Sequence, residues 1–160
     1  MRSNCWISWS AFPLSFSTVS DQSSLDLVDF VEAYLRSPGV TPVCVPDPKC
    51  DKAAIYASVG PDAPGGVFLS GHTDVVPVEG QDGDSDPFTV VERGGRHYGR
   101  GTCDMKGFDA LAAVPLALKS PMKRPLQISL SYDEETGMTG APPMIDHMLA
   151  HEMPRASARS

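Results

Sequence analysis

Basic residues are scarce in this chain, C-x-x-C pairs are missing, and no apolar run is long. Its 13 Lys+Arg stand against 20 Asp+Glu, a formal net charge of −7. Phosphate backbones and anionic lipid surfaces repel a chain of that sign, which excludes nucleic acid and membrane surfaces as partners. The longest apolar stretch, Ala110 to Leu118, is interrupted by Pro115 and is far shorter than the ~20 residues that cross a bilayer. The four cysteines, Cys5, Cys44, Cys50 and Cys103, are too sparse for a disulfide framework and too scattered for a thiolate zinc knuckle. Free thiols in a reducing, cytoplasmic compartment are the expectation, with a Cys44–Cys50 bridge the alternative in a secreted protein. Internal repeats and low-complexity tracts are also lacking.

What is present has the composition of a globular domain, 41% hydrophobic and 21% charged. Residues 1–19 read as an irregular lead-in: they hold no acid and one Arg, and Pro13 with scattered serines breaks any apolar core of a signal peptide. Residues 20–150 read as one domain and 151–160 as a frayed tail. Ser20 to Ser24 offers N-caps for an amphipathic helix in which Leu25, Val28, Val31 and Leu35 recur at helical spacing and Pro38-Gly39 ends the run. Strands are expected over Thr41–Val45, Ala54–Val59, Val67–Ser70 (a buried one) and Leu126–Tyr132, where apolar and polar residues alternate. A hairpin is expected around Arg93-Gly94-Gly95 and a buried helix over Phe108–Leu118. Strands interleaved with helices point to an α/β fold, with a mixed, mostly parallel sheet flanked by helices.

Three polar clusters sit where apolar elements end or begin: His72-Thr73-Asp74, Asp104, and Asp133-Glu134-Glu135. In such sheets, groups at strand C-termini gather in one crevice. Carboxylates crowded there raise one another's pKa values at a cost in stability, and a divalent cation removes that cost. Imidazole with carboxylates suits zinc, cobalt or manganese. His72 and Asp74, two apart on an extended chain, point the same way, so Asp74 is placed to accept the second imidazole N–H. Adjacent glutamates after a strand point to opposite sides, one toward a cation and the other free to take a proton from water. Each cluster alone also fits a turn pair, a helix cap or solvated loop acids; the combination is what carries the metal reading.

The stretches Gly71-His72-Thr73-Asp74-Val75-Val76-Pro77, Tyr98-Gly99-Arg100-Gly101-Thr102-Cys103-Asp104-Met105-Lys106-Gly107 and Asp133-Glu134-Glu135-Thr136-Gly137 closely resemble the M20 family of metallopeptidases and amidohydrolases. Thr102-Cys103 resembles most the branch that deacetylates N-acetyl-L-ornithine. The resemblance implies a partial zinc-peptidase-like catalytic domain over 20–150 with a pair of Zn2+ ions, Co2+ able to replace them. It assigns His72, Asp104 and Glu135 as metal ligands, Asp104 bridging, with Asp74 orienting His72 and Glu134 the general base. A cis peptide after Asp104 is also implied. The implied reaction is hydrolysis of a small N-acyl amino acid to the amino acid and a carboxylate, within arginine biosynthesis for that branch. Succinyl-diaminopimelate or a dipeptide is the alternative substrate.

Family members are much longer. They carry a further acidic ligand in a Gly-Glu-Pro stretch, a late histidine, and a lid domain through which they form homodimers; none of these appears in this sequence. The resemblance therefore implies a truncated chain of weak or no activity alone, and a non-enzymatic remnant that at most binds metal is the second reading. His147 and His151 are spaced to chelate on a helix, with Glu152 following, but the reading taken is an exposed helix face, because the site lies at strand ends and a new ligand would also have to reach it. Gly60 to Gly66 is a weak nucleotide loop, since no Lys-Ser/Thr follows it and two prolines remove donors.

Overall fold

A computed structural model describes residues 16–111, 121–151 and 153. The elements in chain order are α1 (Leu25–Arg36), β1 (Val43–Pro46), β2 (Ala53–Val59), β3 (Val67–His72), β4 (Val91–Arg93), β5 (Arg96–Tyr98), α2 (Lys106–Leu111), β6 (Leu126–Ser131) and α3 (Ala141–Ala150), with a single 3-10 turn over Glu134–Thr136. The expected mixed α/β class holds. The main sheet has the order β1-β2-β6-β3, β3 running parallel to β6 while β1–β2 and β2–β6 are antiparallel.

Period-2 alternation in β2 distributes its side chains to two cores. Ala53, Ile55, Ala57 and Val59 pack with Val28 and Leu35 of α1 and with Leu126, Ile128 and Leu130. Ala54 and Tyr56 face the other way, toward Val45, Tyr132 and Met144 and Met148 of α3. Helices α1 and α3 thus pack on opposite faces of the sheet, and each large apolar side chain fully removed from water contributes about 1.5–3 kcal/mol.

The alternation in β6 suggests a polar face, yet all six of its residues are buried. This strand lies between β2 and β3, and its polar residues bond inward: Ser129 Oγ lies 3.4 Å from Ser70 Oγ, and Ser131 Oγ lies 3.5 Å from the Gly71 carbonyl. The opposite correction applies to β3. Val67, Phe68 and Ser70 are exposed and only Gly71 and His72 are buried, because among the described residues β3 forms the sheet edge. The β4–β5 hairpin turns on Gly94 and Gly95 at φ 58° and 72°, a conformation glycine adopts without strain. At Gly66, a Cβ would lie 2.1 Å from the Pro125 carbonyl oxygen, so the glycine-rich 60–66 loop serves close backbone packing. Of the helix expected over Phe108–Leu118, the part beyond Leu111 lies outside the described residues, as do Glu152 and most of the tail.

The lead-in is packed from residue 18 onward. Thr18 and Val19 are buried, Val19 bridges Val75, and the Val75 N–H donates to the Thr18 carbonyl at 3.0 Å. Ser24 precedes α1 without a side-chain cap bond.

Helix α2 leans on β3, with Asp109 Oδ1 2.2 Å from where a Cβ on Gly71 would sit. Both Asp109 carboxyl oxygens are buried without a hydrogen-bond partner among the described residues. Burial pushes this carboxyl up to about 8, against the pull of His72 and Lys106. The folded value exceeds the unfolded one, so stability falls as pH rises from 3.8 toward about 8. Asp109→Asn is therefore expected to stabilise the fold by about 1–3 kcal/mol at pH 8 and by much less at pH 4, measured by urea unfolding at both pH values. A gain that does not change with pH contradicts this assignment.

Candidate metal centre

The parallel register pairs His72 with Ser131, so β3 and β6 end side by side. The Thr73 N–H continues the ladder, donating to the Ser131 carbonyl at 2.8 Å. Beyond β6, Asp133 adopts φ 57°, which breaks the strand and starts the 3-10 turn that carries Glu134 and Glu135. This corrects the expectation that the adjacent glutamates diverge. His72, Glu134 and Glu135 each bring one ligand atom within 4.8 Å of the others. Asp104 reaches the same place from the loop before α2: His72 Nε2 lies 3.3 Å from Asp104 Oδ1 and 3.8 Å from Glu134 Oε2. The Asp104 side chain is 77% exposed, whereas His72 is buried. The Asp104–Met105 peptide is cis.

Asp74 lies beneath this cluster and is 2% exposed. Its Oδ1 accepts the Glu134 N–H at 3.0 Å, and its Oδ2 accepts the Glu135 N–H at 3.1 Å and the Ser20 hydroxyl at 2.7 Å. His72 Nδ1 lies 3.0 Å from the Asp74 carbonyl oxygen and 3.4 Å from Oδ1, so main chain and side chain of one residue both face the imidazole N–H. Burial pushes the Asp74 carboxyl up, but His72, Ser20 and the two N–H groups outweigh it and hold it at about 2.

Two supports were not expected from the sequence. Ser20 looks like a helix cap there, and only the pairing of 18–20 beside Val75 makes it a partner of Asp74. Lys52 donates its ammonium to the Asp133 carboxylate and to the Ser20 carbonyl, tying the start of the glutamate turn to the same segment. A lone lysine before a strand offers no signal of this role.

The donor set fits a divalent cation. One buried imidazole and several carboxylate oxygens converge where positive charge is scarce, and the proton on His72 supplies some of it: hydrogen bonding to Asp74 first, opposed by burial, then Asp104 and the Glu134 charge, raise the imidazole to about 9. Glu135 is raised by burial and by the acids around it, with His72 opposing. His72, Glu134 and Glu135 could share one ion among them, with the Asp104 carboxylate beside His72.

Residues 68–158, more than half of the chain, match the description "Peptidase family M20/M25/M40". The chain belongs to this family. M20 members are metal-dependent hydrolases. A curated relative, acetylornithine deacetylase from Pasteurella multocida (strain Pm70), is 38% identical over 130 residues, which is 79% of this chain and 34% of that protein. Among solved structures, an M20 family metallo-carboxypeptidase from Sulfolobus solfataricus superposes with a TM-score of 0.80 at 19% identity, covering 98% of this chain and 36% of the other. Human carnosine dipeptidase 1 superposes at 0.75 and 22% identity, covering 91% and 35%. These structural matches share the catalytic-domain fold. The chain spans about a third of the length of the relatives it matches.

Metal entry at His72 must displace the Nε2 proton, which this site retains at neutral pH in the absence of metal. That proton's own contribution to stability is fully present below pH 6.5 and is lost as pH rises through about 9. Apparent Zn2+ affinity is therefore expected to climb with pH by up to about tenfold per unit. Calorimetry at pH 6, 7 and 8 in buffers of different ionisation enthalpy reads both the affinity and the released proton. Affinity that is flat with pH and releases no proton contradicts the assignment of His72 as a ligand.

Proposed function

We infer that this chain carries the catalytic constellation of a zinc-dependent N-acyl amino acid deacylase, acting in the cytoplasm on N-acetyl-L-ornithine and releasing L-ornithine and acetate for arginine biosynthesis. The observation that carries the reading is the convergence of His72, Glu134 and Glu135 within 4.8 Å, with Asp104 3.3 Å from His72. The 38% identity to an acetylornithine deacetylase supports the substrate over succinyl-diaminopimelate or a dipeptide.

His72, Asp104 and Glu135 hold the cation. Asp74 fixes the imidazole tautomer and, through the N–H groups of Glu134 and Glu135, the position of the glutamate turn. Glu134 takes the proton from the attacking water and returns it to the leaving amine. The bound metal supplies polarisation of the amide carbonyl and acidification of water. The second reading, a fragment that binds metal without catalysis, is favoured by the 77% exposure of Asp104.

Ornithine release from N-acetyl-L-ornithine with Zn2+ or Co2+ added, combined with Zn2+ calorimetry, tests the reading. Zn2+ binding is expected to weaken by about tenfold or more in His72→Ala, and any turnover to fall ~10²–10⁴-fold in Glu134→Gln. Turnover indifferent to Glu134→Gln overturns the deacylase reading. Zn2+ binding without measurable turnover in the wild type favours the metal-binding fragment.

A further inference from the structure

The histidine pair at the end of α3 lies outside the centre described above and takes no part in the proposed reaction. His147 and His151 are one helical turn apart, and their rings stack with centroids 4.0 Å apart at an interplanar angle of 13°. Each Nδ1 is tied to the protein. His151 Nδ1 lies 2.8 Å from the His147 carbonyl oxygen; a carbonyl only accepts, so this nitrogen carries the hydrogen and the lone pair of the neutral ring resides on Nε2. His147 Nδ1 lies 2.9 Å from the Tyr56 hydroxyl, and Tyr56 is a 2% exposed member of the core beneath α3. Among the described residues no hydrogen bond reaches either Nε2.

This is the arrangement in which metal-binding imidazoles are held, one nitrogen bonded to the protein and the other left for the ion. Helix position adds to it. His147 lies in the last turn of α3 and His151 immediately after it, where the negative end of the helix dipole favours a cation.

We propose that His147 and His151 form a second metal site, a two-imidazole chelate for a divalent transition ion of the Cu2+, Ni2+ or Zn2+ class, steered by the Tyr56 hydroxyl and separate from the catalytic centre. Nitrogen-only ligation by neutral imidazoles ranks Cu2+ first. Both Nε2 atoms must approach one ion at about 2.0–2.1 Å. The rings therefore splay from their near-parallel stack, a motion open to the exposed His151 at the helix end.

Calorimetric titration with Cu2+ and with Ni2+ in a His72→Ala background takes the one imidazole of the catalytic centre out of the measurement and leaves that centre only carboxylates. One equivalent of Cu2+ is expected to bind there, more tightly than Ni2+, and to weaken about tenfold or more when either His147→Gln or His151→Gln is added. Cu2+ affinity unaffected by both additions overturns the proposal. A second measurement uses the wild-type chain and stays informative if His72→Ala does not fold: substoichiometric Cu2+ is expected to broaden the imidazole C–H resonances of His147 and His151 together. Broadening at His72 with His147 and His151 left sharp overturns this site while leaving the deacylase reading intact.

Discussion

The Asp74 carboxylate is the interaction on which the site depends. It is buried, held ionised, and accepts three hydrogen bonds from two segments of the chain: from the Ser20 hydroxyl and from the main-chain N–H groups of Glu134 and Glu135. Its own residue faces the His72 imidazole from both main chain and side chain. A buried carboxylate with fewer partners would take up a proton or destabilise the fold. The requirement to satisfy it therefore brings the segment at residue 20, the end of β3 and the turn after β6 into one fixed arrangement.

The sheet makes this arrangement possible. Pairing β3 and β6 in parallel puts both C-terminal ends at one edge, and the left-handed backbone at Asp133 turns the chain so that two successive glutamates face the same way. Negative charge accumulates there, and a proton on His72 or a cation in its place relieves it. Metal binding and proton loss at His72 are thus two sides of one equilibrium, and the fold supplies the geometry for both.

Much of this was legible in the sequence because the informative residues lie at element ends. Apolar runs stopping at His72 and at Asp133 mark strand termini, and the glycine pair at 94–95 marks a hairpin; β2, β6 and α1 fall where periodicity puts them. Less legible was anything decided by tertiary neighbours. Alternation in β6 reads as a half-exposed strand, but its position between β2 and β3 buries both faces. Ser20 reads as a cap and is a carboxylate donor. Asp109 reads as part of an apolar helix and is a buried acid against Gly71. The divergence expected of Glu134 and Glu135 assumes an extended chain, which the 3-10 turn replaces.

The measurement that tests the role of Asp74 most directly is amide hydrogen exchange at Glu134 and Glu135 in wild type and Asp74→Ala, read together with Zn2+ affinity. The expected result is loss of protection at those two amides, unchanged protection across the β2–β6 pairing, and Zn2+ affinity lowered about 10–100-fold. Protection at Glu134 and Glu135 and Zn2+ affinity that both survive Asp74→Ala would contradict the account.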